Sequence, residues 1–110
     1  MVNLFEINGI LWDIVWVNPN DSNLMRSDGS VTVGMTDGNK NCIFLSNALH
    51  GAFLRRVAAH ELCHAFCMSY DVFMPLEEEE RLADWISLYG SDLVYLLDDL
   101  MNTVLKKRAM

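Results

Sequence analysis

The sequence predicts an α+β domain: a short, mostly antiparallel sheet followed by three helices. Three observations carry this. Four short runs of strand-forming residues, separated by turn residues, occupy the first 46 positions. From Ala48 onward the apolar spacing shifts toward the helical period. Strand-like and helix-like segments are segregated rather than alternating, which is the α+β order. At 110 residues, 52% of them hydrophobic, the chain is expected to form one domain over residues 1–110 around a single core.

Taken in order, FEINGILWDIVWV (residues 5–17) is rich in Ile, Val, Phe and Trp, and Asn8-Gly9 inside it is a strong hairpin signal. NPNDSN (residues 18–23) is a loop by composition. SVTVGMT (residues 30–36) and NCIFLS (residues 41–46) are two strands joined by the turn residues Asp37-Gly38-Asn39-Lys40. Leu49, Phe53, Val57, Leu62 and Phe66 then mark a helix running to Met68 or Ser69. YDVFMP is a loop closed by Pro75. Pro75 and LEEEE open a second helix, with acids where the dipole favours them, ending near Gly90 as a C′ residue. Ser91-Asp92 is expected to cap a third helix, striped by Leu93, Leu96, Leu97, Leu100 and Val104.

The formal charge of −7 disfavours nucleic acid as a partner, because phosphate contacts need a basic face. The only cationic cluster, Lys106-Lys107-Arg108, reads as a solvated helix terminus. MVNLFEING lacks the features of a signal peptide, and no apolar run approaches the ~20 residues of a membrane span. Three cysteines, Cys42, Cys63 and Cys67, without an export signal fit reduced thiols and a cytoplasmic location.

Chemistry concentrates in AAHELCHAF, residues 58–66. On a helix His60 and His64 share a face and can reach one cation, and imidazole suits zinc. Glu61 stands beside that cation and can take a proton from water. Catalytic zinc usually has three protein ligands. The longer HExxHxxGxxH signature fails, since Cys67 and Tyr70 occupy its glycine and third histidine. The next helix offers Glu80, with Asp84 one turn on to accept the spare N–H of a ligand histidine. Glu77 is the fallback ligand, Glu78 and Glu79 are expected to face elsewhere, and Asp84 has a competing assignment as a solvated residue. For three of the four glutamates, dipole compensation is sufficient explanation.

With HELCH on one helix and E-x-x-A-D on the next, the chain resembles the gluzincin zinc peptidases. Its size, the VGMT…CIFLS hairpin before the active helix and the E-x-x-A-D string resemble more closely the ImmA/IrrE-like metallopeptidases and minigluzincins, over roughly residues 30–85. That resemblance implies a small zincin-like metallopeptidase domain binding one Zn2+ per chain. Carried over residue by residue, it makes His60, His64 and Glu80 the ligands, Glu61 the general base and Asp84 the residue behind a ligand imidazole. Cys63 replaces a glycine frequent in the family. The implied activity is hydrolysis of peptide bonds, with an extended substrate along the edge near Val31 to Thr36. The implied partner is a protein or peptide, such as a regulatory repressor. Tyr70, Tyr89 and His50 are equal candidates for a second electrophile. The competing function is a catalytically silent or latent zinc-binding module acting in protein–protein regulation.

Overall fold

A computed structural model describes residues 3–105. The expected α+β order is present. Four strands, β1 (Leu4–Ile7), β2 (Ile10–Val17), β3 (Gly34–Asp37) and β4 (Cys42–Ser46), precede α1 (Gly51–Ser69), α2 (Leu76–Trp85) and α3 (Ser91–Asn102). Lys106-Lys107-Arg108 lie outside the described residues.

β1 and β2 form the hairpin that Asn8-Gly9 announces. Asn8 (φ 50°) and Gly9 (φ 78°) both take the left-handed conformation that a two-residue turn between twisted strands requires. β3 and β4 form the second hairpin, where Asp37 Oδ1 accepts from the Asn39 and Lys40 N–H groups at 2.9 and 3.3 Å. The sheet order is β1-β2-β4-β3, and its central pair, β2 with β4, is parallel. The sheet is therefore mixed, with two of its three pairings antiparallel. Only the second half of SVTVGMT joins it; Val31 instead bridges Met25 in a small side hairpin. β3 is left as an edge strand, paired on one side alone.

One face of the sheet buries against α1. Ile7, Trp12, Ile43 and Leu45 meet Leu49, Val57 and Ala65. The Trp12 indole N–H donates to Ser69 Oγ at 2.8 Å and Asn8 Nδ2 to Ser69 O at 3.0 Å, so the first hairpin is tied to the end of α1. Phe53 and Phe66 fall outside this contact and are about half exposed.

Gly90 does not end α2, and Ser91-Asp92 do not cap α3. Gly90 has helical angles (φ −58°, ψ −41°), so it lacks the left-handed conformation of a C′ glycine. The chain runs from α2 into α3 through a wide π turn, Ile86–Gly90, packed on α1. The Ser91 hydroxyl accepts from Arg55 Nη2 at 2.6 Å and makes no cap. Among the described residues no helix is long and apolar enough to cross a membrane.

Candidate metal centre

α1 and α2 present the chemistry-bearing side chains to one another. His60 and His64, four apart on α1, bring their Nε2 atoms to 3.3 Å. Glu80 on α2 reaches both: Oε2 is 3.2 Å from His60 Nε2 and Oε1 is 2.8 Å from His64 Nε2. Tetrahedral zinc with bonds of about 2.0–2.1 Å has donor–donor edges near ~3.3 Å. The two imidazole nitrogens are spaced as that polyhedron requires, with one Glu80 oxygen beside each.

The far side of each imidazole is also held. Asp84 Oδ1 lies 2.9 Å from His60 Nδ1, and Glu79 Oε2 lies 2.6 Å from His64 Nδ1. A carboxylate at Nδ1 is the usual partner behind a ligand histidine, because it can accept the ring N–H there while Nε2 faces a metal ion. Two imidazole nitrogens and a carboxylate then face one another at 2.8–3.3 Å, an arrangement that a shared cation, whether metal ion or proton, holds together. The donor chemistry thus fits a divalent ion. No other cluster of three or more potential metal ligands occurs among the described residues.

Of the residues singled out in the sequence, His60, His64, Glu80 and Asp84 converge here. Glu79 was expected to face elsewhere and does not: it is 16% exposed and sits behind His64. Glu77 is exposed at the start of α2.

Glu61 is buried (8% exposed), with Oε1 accepting from Thr36 Oγ1 at 2.8 Å. Its side chain lies along β3, where Gly34 leaves room. A Cβ on Gly34 would stand 2.8 Å from Val57 Cγ1, 3.1 Å from Glu61 Cγ and 3.4 Å from Glu61 Oε2. Thr36 and Gly34 belong to the edge expected to take substrate, but their contacts with Glu61 were not expected, because strand alternation says nothing of which helix lies alongside.

A cleft of about 530 Å³ runs between β3 and the two helices, lined by Arg26, Thr32, Thr36, His60, Glu61 and Glu80 among others. No protein-family model matches the chain, no curated protein matches it, and no solved structure matches it. None of Tyr70, Tyr89 and His50 lines the cleft. Tyr70 borders a separate apolar groove, and His50 Nδ1 lies 3.1 Å from Ala48 O at the start of α1. Among the described residues, Arg26 is the one Lys or Arg side chain in the cleft wall.

Behind the site, Cys63 and Cys67 pack with Ala83, Met74 and Ile86. Burial pushes the Cys63 thiol up to about 11, with the neighbouring Cys67 adding to it, and burial raises Cys67 as well. Protonated, buried thiols are packing groups rather than nucleophiles.

Proposed function

We propose that this chain is a zinc-dependent peptidase of zincin-like fold and gluzincin type, in which His60, His64 and Glu80 hold one Zn2+. The carrying observation is the convergence of His60, His64 and Glu80 within reach of one ion, each imidazole backed by a carboxylate. The Glu61 carboxylate lines the same cleft without joining them. Bound zinc would supply Lewis acidity, acidifying water and polarising a peptide carbonyl.

The remaining work falls to the chain. Thr36 occupies Oε1 of Glu61, which leaves Oε2 to take a proton from the attacking water. The water oxygen bonds to the carbonyl carbon, the C–N bond breaks, and Glu61 returns the proton to the leaving amine. Glu79 and Asp84 keep both Nδ1 atoms protonated so that the ligand nitrogens stay free. The open edge of β3 offers unpaired backbone groups to an extended substrate, which fits a protein or peptide. A regulatory repressor is the substrate that the family resemblance suggests. The thiols Cys42, Cys63 and Cys67, all free, fit a cytoplasmic setting.

The test is metal analysis with peptide hydrolysis. Wild-type protein supplied with zinc should hold about one ion per chain, His60→Ala should lose it, and Glu61→Gln should keep it while hydrolysis ceases. Protein that stays metal-free in excess zinc ends the proposal. Undiminished cleavage by Glu61→Gln removes Glu61 from its role.

A further inference from the structure

α3 is an amphipathic helix with no partner for its apolar side. Leu93, Leu96, Leu97 and Leu100 fall on one face by their i, i+3, i+4 and i+7 spacing. Three of these four are about half exposed, Leu96 the most at 59%. Asp92, Asp98 and Asp99 flank or oppose that face. Among the described residues, the substantial packing of α3 is against the π turn from which it grows. The rod carries it clear of the body, and the radius of gyration is 16.2 Å where a compact chain of this length has about 13 Å. A short helix without packing is marginal in water. A covering surface is therefore needed.

The same chain carries an apolar groove of about 460 Å³ between α1 and α2, walled by Ala59, Leu62, Phe66, Leu82 and Ile86. It opens on the side of α1 away from the cleft, because Ala59 and Leu62 turn from the His60 and His64 face. The chain's own α3 does not reach it. Ile86 lies in the groove wall, and the backbone after it continues helically through Gly90 and Ser91.

We propose that two copies of this chain pair about a two-fold axis, the α3 of each lying in the α1–α2 groove of the other. Both halves of the contact exist on every copy, so the pairing closes on itself. Charge complements the apolar match. Arg55 stands one turn before Ala59 on the same face of α1, and exposed Arg81 adjoins Leu82. Among the described residues every ion pair involves His60 or His64, so both arginines lack a carboxylate. The acids beside the apolar face of α3 supply one.

The area suffices. Twelve residues make a helix about 18 Å long and about 10 Å wide, so half its surface is roughly 280 Å². Two reciprocal contacts, each covering a helix face and a groove, bury about 1,100 Å² in total, above the roughly 1,000 Å² expected of a specific interface.

Sedimentation of the full chain over a concentration series tests this. The wild type should run as a dimer. The double variant Leu93→Asp with Leu97→Asp should weaken the dimer at least about 100-fold, as loss of central anchors does. Ala59→Arg, which fills the groove without touching α3, should weaken it comparably, and Arg55→Glu about tenfold. Each variant should still unfold in a cooperative thermal transition, since the sheet–α1 core is untouched. A monomeric wild type overturns the proposal, including one whose α3 amides are protected from exchange by its own body. A dimer that survives Ala59→Arg overturns the helix-in-groove arrangement.

Discussion

Glu79 offers the sharpest probe of the proposed metal centre, because nothing in its chain position marks it out among four consecutive glutamates. Its Oε2 lies 2.6 Å from His64 Nδ1, a short charge-assisted contact, and its side chain is 16% exposed against 8% for His64. Glu79→Gln keeps a carbonyl acceptor and removes the charge. Glu79→Ala leaves the Nδ1 proton without a partner in a nearly dry setting, which costs about 1–3 kcal/mol. Loss of a carboxylate behind a ligand histidine typically weakens metal binding by about 10–100-fold. Glu79→Gln should fall near the tenfold end and Glu79→Ala near the hundredfold end, or about 2.7 kcal/mol. Asp84 makes the equivalent contact to His60 from a site that is 64% exposed. Water replaces and screens it, so Asp84→Asn should weaken binding less than Glu79→Gln. Zinc affinity measured by competition with a chromogenic chelator decides the order. Equal affinity in wild type and Glu79→Ala, or a larger loss in Asp84→Asn, refutes the assignment of Glu79 to the support of His64.

Glu80→Ala should lower zinc affinity far more than Glu77→Ala, and the reverse order in the same competition assay moves the third ligand one turn back. Gly34→Ala forces a Cβ to 2.8 Å from buried Val57, and overpacking of this kind costs about 1–3 kcal/mol. Its thermal midpoint should fall by several degrees; an unchanged midpoint means that β3 and α1 have slack between them. The Cys63 thiol ordinarily titrates near 9 and is held up to about 11 by burial. Between those values the unfolded chain has released a proton that the folded one retains, so this group lowers stability as pH rises from about 9 to about 11. Cys63→Ser should flatten that decline in denaturant titrations, and a wild-type slope kept by the variant places its origin elsewhere.

Much of this architecture was legible in the residues. Asn8-Gly9 marked a turn because its left-handed geometry is chemically selective, and the i,i+4 spacings of His60 with His64 and Glu80 with Asp84 fixed which groups share a helix face. What spacing within one helix does not encode is its rotation against another. LEEEE offers a carboxylate at every phase, so the pairing of Glu79 with His64 emerges only once α1 and α2 are packed. The parallel β2–β4 pairing was hidden for a similar reason: apolar runs report burial, not the direction of a neighbour. Gly90 misled because glycine's preference for helix ends is a tendency, and here the π turn against α1 carries the rod onward.

That π turn divides the long rod into two halves that answer to different demands. Upstream, the angular setting of Glu79, Glu80 and Asp84 is locked by the imidazoles. Downstream, the extra residue accommodated at Ile86–Gly90 sets the azimuth at which the leucines of α3 emerge. Deleting one residue there would swing the outer half by about 100° and leave the inner half where it stands. A single-residue change of length could thus re-aim the projecting arm while chemistry at the other end goes on undisturbed.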